Sequence, residues 1–339
     1  MSIATREWQL VRRPHGEPVD ADFALVTLER PDPQPGEVVV RTIAMSVDPY
    51  MRGRMSAAKS YAASWELGET MQGGAIGQVV TSRSDDVPEG ALVLHGAGWR
   101  DVAVLPAAHV SVVQPLPGLP LSLYLGVLGM PGLTAWAGLF RLASFQSGDA
   151  VFVSGAAGAV GSLVGQFARL RGASRVVGSA GTPEKVAWLQ SIGFDAAFDY
   201  HDGPVADLLA GVAPDGIDVF FDNVGGEHLE AAITAFRTFG RAALCGSIST
   251  YNAVSAPPGP RNLGLVVGKQ LSLRGFIVGS HADLRPEFVS AVSGWLREGS
   301  LVARETVVEG LDSAVDAFRA LLSGGNTGKM VVRLAPDPS

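Results

Sequence analysis

The sequence predicts a two-domain α/β protein, in which short antiparallel strands precede a doubly wound parallel sheet. Its 339 residues suggest two domains at about 150 residues each. Residues 1 to about 120 contain brief β-rich runs separated by turn signals, which are typical of an antiparallel barrel or sandwich. From about 125 onward, apolar strands alternate with helical stretches, as in a parallel sheet with helices on both faces.

Four short runs mark the strands of the first part: Glu37–Arg41, Ala75–Val80, Ala91–Leu94 and Asp101–Val104. The second part begins with the apolar strand Val151–Val153, a glycine-rich turn and a helix over 159–171. Later strands are predicted at Arg175–Gly178, Ala196–Phe198, Asp218–Phe221 and Ala242–Cys245, with helices from Thr182, over Glu227–Phe236 and over Pro286–Leu296. The last residues predict a strand (Glu305–Val308), a helix (Leu311–Leu322) and a final strand (Met330–Leu334).

Composition excludes several classes of protein. Apolar residues make up 47% and charged residues 17%, so the chain is no disordered segment. The net charge is −7 and no long Lys/Arg run is present, so we expect no nucleic-acid partner. The uncharged stretch between Asp101 and Arg141 contains five prolines, and its longest proline-free piece, Leu121–Met130, is too short to cross a bilayer. We interpret it as a buried segment between domains and expect no membrane partner.

The single cysteine, Cys245, limits the chemistry further. It rules out an intrachain disulfide, which fits a reducing compartment and predicts a cytoplasmic protein, and the first residues lack an apolar signal-peptide core. It also rules out a zinc site built from several cysteines, and no HExxH motif is present, so we predict no metal. Cys245 ends an apolar strand, and we interpret it as a small buried hydrophobe.

The central motif is a glycine-rich turn that follows the strand Val151–Val153. It fits the dinucleotide fingerprint G-x-G-x-x-G, with Ala156 in place of the first glycine. Gly158 would let the backbone approach a pyrophosphate, and Gly161 would let the following helix pack closely on the strand. The N–H groups and dipole at the helix N-terminus would hold the negative charge.

The residues after the second strand favour NADP over NAD. An NAD site usually carries an acidic residue about 20 residues after the glycines, to accept the ribose hydroxyls. Here the region Val177–Thr182 has no acidic residue, and Lys185 lies just beyond it. The missing carboxylate removes repulsion against a 2′-phosphate, and Lys185 supplies a cation; its alternative interpretation is a solvated helix residue.

Eight segments together resemble one family, the zinc-independent medium-chain dehydrogenase/reductases, and within it the prostaglandin reductases and alkenal/one (double-bond) reductases. They are Ser46–Arg52, Leu128–Ala135, Ala156–Gly165, Glu184–Ala187, Gly193–Asp195, Phe221–Gly226, Cys245–Asn252 and Gly325–Lys329. The resemblance implies a GroES-like β-rich catalytic domain plus a Rossmann doubly wound parallel-sheet domain. The GroES-like domain would span 1–125, completed by 300–339, and the Rossmann NADP-binding domain would span 126–299.

The resemblance also implies the site residues. Cofactor-binding residues would be Gly158, Ala159, Val160, Gly161 and Ser162 at the pyrophosphate; Lys185 and Tyr200 at the adenosine 2′-phosphate; and Asn223, Cys245, Gly246, Ser247, Ile248, Ser249, Tyr251, Phe276, Ile277, Val278 and Asn326 at the ribose and nicotinamide. Gly181 is also expected to bind the cofactor. Without the resemblance, Asn223 and Asn326 are also interpretable as turn residues, and Tyr200 as a half-buried core aromatic.

Family members reduce the carbon–carbon double bond of α,β-unsaturated ketones and aldehydes with NADPH. We therefore expect a small enone or enal as substrate and a homodimer as the assembly, since relatives commonly pair through the Rossmann domain. The developing enolate needs a hydrogen-bond donor. We predict Tyr251 as that donor and Tyr50 as a second catalytic-site tyrosine in the pocket. The alternatives are a quinone reductase of the same superfamily and a non-enzymatic NADPH-binding sensor.

Overall fold

A computed structural model describes residues 2–338. Strands and helices are labelled in chain order. The strands are β1 (Ser2–Leu10), β2 (Phe23–Pro31), β3 (Glu37–Ser46), β4 (Ala75–Ser82), β5 (Leu92–His95), β6 (Val102–Pro106), β7 (Val110–Val112), β8 (Ala150–Val153), β9 (Arg175–Ala180), β10 (Ala196–Asp199), β11 (Ile217–Asp222), β12 (Phe236–Leu244), β13 (Ser272–Gly275), β14 (Glu305–Glu309) and β15 (Lys329–Arg333). The helices are α1 (Met51–Arg54), α2 (Met130–Trp136), α3 (Gly161–Leu170), α4 (Pro183–Ser191), α5 (Val205–Val212), α6 (Gly226–Ala235), α7 (Gly264–Gly268), α8 (Arg285–Arg297) and α9 (Ala314–Leu322).

The chain divides into two compact units. The first, the β-rich unit, consists of residues 2–126, 305–326 and 330–338, and the second consists of 127–304 and 327–329. The two-part α/β fold class is therefore confirmed, with a β-rich first part and a parallel-sheet second part. The domain limits given by the sequence stay predictions.

The β-rich unit contains a two-stranded and a seven-stranded sheet. Strands β1 and β2 pair antiparallel, and the larger sheet has the order β14-β15-β3-β4-β5-β7, with β6 paired to β3. Its core is unusually rich in methionine and tryptophan. Met51, Met55 and Met71 pack there without exposure, around the edge-to-face pair Trp65 and Trp99. Met51 lies on α1 and the other four lie in loops, so this part of the core is filled by side chains from outside the strands.

The second unit is built on one six-stranded parallel sheet. Its strand order, β10-β9-β8-β11-β12-β13, is that of a doubly wound dinucleotide-binding sheet. All four residues of β8 are buried, as expected for a strand covered on both faces. Phe152 stacks on Phe220 with ring centroids 5.0 Å apart, toward α5 and α6. On the opposite face of β11, Phe221 packs so closely on Gly138 that a Cβ there would lie 2.3 Å from its ring.

Most predicted elements are present, and the differences have local causes. Strand β12 begins at Phe236, whereas the sequence predicted a start at Ala242. The prediction missed the first half of the strand because this half is irregular: Phe239 has a positive φ of 67°, and the register with β11 shifts. The last helix begins at Ala314 after a 3-10 turn. Strand β13 was not predicted as a strand, because it is short and mostly exposed. Within residues 2–338, no helix is both long and apolar enough to traverse a bilayer.

Candidate functional site

The phosphate loop connects β8 to α3 in the second unit. Gly155 turns the chain with a φ of +57°. A Cβ at Gly161 would lie 2.5 Å from the Gly155 carbonyl oxygen, so only glycine allows this close packing. The N–H groups of Val160 and Gly161 have no hydrogen-bond partner among the described residues. With no acidic residue in its first turn, α3 presents these donors and its dipole to an anion.

Ala156 takes the first glycine position of the fingerprint because a neighbouring strand makes room for it. Its N–H donates to the Ser179 carbonyl at 2.8 Å. A Cβ at Gly178 would lie 2.7 Å from the Ala156 methyl group, so the absence of a side chain at Gly178 accommodates the alanine. The tight turn is thus kept with alanine at position 156 and glycine at position 178. Gly178 is the signal in the sequence that could have indicated this pairing.

The adenosine side of the predicted site lies at the ends of β9 and β10. The Tyr200 N–H donates to the Ala180 carbonyl at 3.0 Å, and a Cβ at Gly181 would lie 2.8 Å from the Tyr200 hydroxyl. The structure therefore brings Gly181 and Tyr200 together. Lys185 is half-buried in the first turn of α4, where Thr182 caps the helix, and burial lowers the pKa of its ammonium group.

Two histidines that the sequence did not assign to the site pack on Tyr200. The His201 ring lies 4.2 Å from the Tyr200 ring, and its Nδ1 donates a hydrogen bond to Asp199 Oδ1 at 2.9 Å. The His228 ring meets Tyr200 edge-on at 5.5 Å. Burial lowers the pKa of His228 to about 4, so its imidazole is neutral at physiological pH.

The carboxyl ends of β8 and β11 meet at the topological switch point of the sheet, where such folds bind ligands. Three residues form a hydrogen-bonded network there. The Ser154 hydroxyl donates to Asp222 Oδ1 at 2.8 Å and accepts from the Asn223 N–H at 2.9 Å. The Asn223 side-chain amide donates to the Ser154 carbonyl at 2.8 Å. Burial raises the pKa of Asp222, and hydrogen bonds from Gly225, Ser154 and Val224 oppose the rise.

The predicted nicotinamide loop, residues 245–251, is tied to the same place. The N–H groups of Cys245 and Gly246 both donate to the Asp222 carbonyl, at 2.9 and 3.1 Å. The Ile248 N–H donates to the Asn223 carbonyl at 3.2 Å. A Cβ at Gly246 would lie 3.1 Å from the Tyr251 hydroxyl, so that hydroxyl folds back toward the strand ends.

The other residues predicted to lie at the nicotinamide are in this loop and directly after β13. Ser249 follows Ile248, and its hydroxyl donates to the Val224 carbonyl at 2.5 Å. The Ser247 hydroxyl lies 3.1 Å from that of Thr250. Phe276 packs edge-to-face on Phe221, with ring centroids 6.3 Å apart. The next two residues, Ile277 and Val278, are exposed and half-buried.

Residues 327–329, which belong to the second unit, contact the phosphate loop. The Gly328 N–H donates to the Ala157 carbonyl at 2.8 Å, and Gly328 forms a parallel bridge with Gly158. A Cβ at Gly328 would lie 1.9 Å from the Arg304 carbonyl oxygen, so this position requires glycine. The sequence identified the turn but not this contact.

Two predicted residues belong to the β-rich unit. Tyr50 is half-buried directly before α1, and burial, followed by the nearby Asp48, raises the pKa of its hydroxyl. Asn326 is buried in the turn between α9 and β15. Their part in a site stays a prediction.

Cys245 carries a thiol that stays protonated. Its desolvation, followed by the charge of Asp222, raises the pKa of the thiol to about 12. Such a thiol is a poor nucleophile and a poor metal ligand at neutral pH. Among residues 2–338, no group of three His, Cys, Asp or Glu side chains is arranged to hold a metal ion.

Sequence reasoning missed Ser154 and Asp222. The signal available for Asp222 was its position at the end of an apolar strand, immediately before Asn223. Ser154 is an ordinary loop residue in the sequence, and its role follows only from a contact across 68 positions of the chain.

The chain is similar to known oxidoreductases along its whole length. Residues 6–113 match a family described as the N-terminal domain of oxidoreductase, and residues 159–293 match one described as zinc-binding dehydrogenase. The chain's single cysteine does not fit a zinc site built from several cysteines.

Curated relatives and solved structures agree in length as well as in sequence. NADPH-dependent curcumin reductase of Escherichia coli (strain K12) is 40% identical, over 98% of this chain and 97% of its own. Prostaglandin reductase 1 of Bos taurus is 40% identical, over 98% and 99%. The crystal structure of CurA from Vibrio vulnificus in complex with NADPH has a TM-score of 0.92 and 40% identity, and the match covers 98% of this chain and all of that one.

Proposed function

Because the chain belongs to the medium-chain dehydrogenase/reductase family, in the branch of the prostaglandin and 2-alkenal reductases, we propose that it reduces the carbon–carbon double bond of α,β-unsaturated ketones and aldehydes with NADPH. One observation carries the proposal: Asn223, Gly246 and Tyr251 meet at the switch point of the parallel sheet. Relatives named for curcumin, prostaglandin and 2-alkenal reduction support the substrate class.

The second unit has the features that the cofactor requires. The unpartnered N–H groups of Val160 and Gly161, at the start of α3, fit the pyrophosphate. The cation of Lys185 and the hydroxyl of Tyr200 fit the 2′-phosphate. We assign Ala159 and Ser162 to the same pyrophosphate loop, and Asn223, residues 245–251 and Phe276–Val278 to the ribose and nicotinamide. The assignment of Asn326, in the β-rich unit, to that side stays a prediction.

The protein's own task is to orient the reactants and polarise the substrate. NADPH, when bound, supplies the hydride that adds to the β-carbon of the enone. Negative charge then develops on the substrate's carbonyl oxygen, and a donor aimed at that oxygen lowers the barrier. We assign this donor to the Tyr251 hydroxyl, since tyrosine ordinarily stays protonated at neutral pH. Tyr50, whose pKa is raised, is also neutral there and is proposed to line the pocket.

The direct test is a turnover assay with a small substrate panel. The loss of NADPH absorbance would be followed with an alkenal, an aryl enone, a keto-lipid enone and a quinone, and NADH would replace NADPH as the cofactor control. We expect turnover of the enones and enals with NADPH preferred. Turnover of the quinone alone would favour the quinone reductase alternative, and NADPH binding without any turnover would favour the sensor.

A substitution at Lys185 tests the preference for NADPH over NADH. We expect Lys185→Ala to weaken NADPH binding by about ten- to a hundred-fold, because it removes a cation from a charge-assisted contact with phosphate, and to leave NADH turnover close to wild type. The matched control is Lys59→Ala, which removes the same charge from an exposed position of the β-rich unit. An unchanged ratio of NADPH to NADH affinity in Lys185→Ala would remove Lys185 from the 2′-phosphate site.

The oligomeric state and the cellular location are also part of the proposal. We propose a homodimer, which light scattering of the purified protein would measure directly. The cytoplasmic location is proposed from the single cysteine and from a reductant that is abundant in the cytosol.

A further inference from the structure

Ser154 lies at the end of β8 without any exposure to solvent, yet it is hydrogen-bonded at every polar atom. Its hydroxyl contacts Asp222 Oδ1 and the Asn223 N–H, its N–H donates to the Phe221 carbonyl at 3.1 Å, and its carbonyl accepts from Asn223 Nδ2. Such complete hydrogen bonding is typical of polar groups that are buried away from water. The residue thus joins the ends of the two strands that flank the switch point.

The chemistry of the partners determines the direction of each hydrogen bond. Asp222 Oδ1 also accepts the N–H groups of Val224 and Gly225, at 3.0 and 2.9 Å, so it acts as an acceptor. The Ser154 hydroxyl therefore donates a hydrogen bond to Asp222 and accepts one from the Asn223 N–H. A carbonyl oxygen can only accept, so the nitrogen of the Asn223 amide has to face the Ser154 carbonyl.

This orientation leaves the other side of the amide for a ligand. Asn223 Oδ1 has no partner among the described residues, and Asn223 is half-buried at the carboxyl edge of the sheet. An amide oxygen accepts hydrogen bonds, and the nicotinamide half of a dinucleotide offers donors in its ribose hydroxyls and its carboxamide N–H groups. The acceptor and the donors are complementary.

We propose that Ser154 is a positioning residue for the cofactor: it holds the Asn223 amide so that Oδ1 accepts a hydrogen bond from the nicotinamide half of NADPH. The inference rests on the proposed function, because it requires that the cofactor binds. Ser154 itself contacts no reacting atom and acts through Asn223.

The loop of residues 245–251 is held independently of the Ser154 hydroxyl. Cys245 and Gly246 are bound to the backbone carbonyl of Asp222, and α6 begins with Gly225 bound to its carboxylate. These contacts remain when the hydroxyl is removed. The effect of losing it should therefore be confined to the nicotinamide half of the site, and the adenosine half at Lys185 and Tyr200 should be untouched.

The test compares two ligands in two variants. Ser154→Ala removes only the hydroxyl. Ser179→Ala is the matched control, since Ser179 is equally buried in the neighbouring strand β9 but its hydroxyl has no partner among the described residues. The ligands are NADPH and adenosine 2′,5′-bisphosphate, which lacks the nicotinamide half. Their Kd values would be measured by calorimetry, and kcat would be measured with the best enone.

We expect Ser154→Ala to bind NADPH about three- to ten-fold more weakly, as for one lost neutral hydrogen bond, with a lower kcat and an unchanged Kd for the bisphosphate. Ser179→Ala should match wild type for both ligands. If Ser154→Ala does not fold, Ser154→Cys replaces the hydroxyl by a slightly larger and weaker donor and should show a smaller loss for NADPH alone.

Three results would overturn the inference, and they are distinguishable. Equal weakening of both ligands would indicate a merely structural role for Ser154. Wild-type NADPH affinity in a folded Ser154→Ala would show that Asn223 needs no positioning. Failure of the wild-type protein to bind NADPH would instead refute the proposed function on which the inference rests.

Discussion

Two buried imidazoles should make the protein lose stability in mild acid. His95 in the β-rich unit and His228 on α6 are 6% and 5% exposed, and the Nε2 atom of each is buried without a partner among the described residues. Burial lowers the pKa of both to about 4; Arg100 lowers that of His95 further, and Glu227 opposes the shift at His228. His95 Nδ1 already accepts the Ala97 N–H at 3.2 Å, so a proton there would break a hydrogen bond.

The sign follows from the proton balance. An imidazole in the unfolded chain has a pKa of about 6.5, so the unfolded state binds more protons between about pH 6.5 and 4, and stability falls as the pH falls through that range. A pH of about 5 lies about 1.5 units below the pKa of a histidine in the unfolded chain, which is therefore protonated, whereas the folded histidine is still neutral. At about 1.4 kcal/mol per unit, each histidine costs about 2 kcal/mol relative to neutral pH, and the two together about 4 kcal/mol.

The contribution of one histidine is measured by urea unfolding of the wild type and of His228→Gln, each at about pH 7.5 and pH 5. His228→Gln removes one titrating group, so the difference in unfolding free energy between the two pH values should shrink by about 2 kcal/mol. His109→Gln, at an exposed position, is the control and should keep the wild-type difference. A difference in His228→Gln as large as in wild type would show that the buried imidazole does not drive the acid loss, and the reasoning would fail.

Two further predictions concern the parallel-sheet unit. Gly161→Ala should lower the unfolding free energy by about 1–3 kcal/mol and abolish tight NADPH binding, because its Cβ meets the Gly155 carbonyl; Gly211→Ala, with open space in α5, should instead stabilise by up to about 1 kcal/mol, and denaturant titration measures both. Tyr251→Phe should lower kcat by about ten- to a thousand-fold with the Kd for NADPH largely kept; wild-type turnover would exclude the hydroxyl as the enolate donor.

The sequence predicted the parallel-sheet unit well because its signals are local. An apolar strand, a glycine turn and a helix follow one another within residues 150–170, and each is legible from a few neighbours. The same holds for Asn223, since a polar residue after an apolar strand has to lie at the carboxyl edge of a parallel sheet. The edge strand β13 was missed for the converse reason, because its Ser272–Gly275 segment is short, polar and exposed.

The β-rich unit was predicted only in outline. Its hairpin of β1 and β2 contains the fully buried carboxylate of Glu7, which Arg30 and Arg100 approach to 2.7 and 3.4 Å. A charged residue in a strand predicts an exposed face. The burial of Glu7 is offset by these arginines and by a hydrogen bond from the Thr70 hydroxyl, all from other parts of the chain. Such pairing has no pattern in a single sequence.

The switch point shows why the candidate site was predicted in part. Ser154 and Asp222 are buried at the two strand ends, where polar groups need hydrogen-bond partners. Asp222 supplies acceptors to Ser154, to the start of α6 and to the loop that carries Tyr251. Hydrogen bonding at one carboxylate and its backbone carbonyl therefore couples three segments that the sequence presents as unrelated. The loop that carries Tyr251 is bound through the backbone carbonyl of Asp222, so its position depends on the end of β11 and not on the Ser154 hydroxyl.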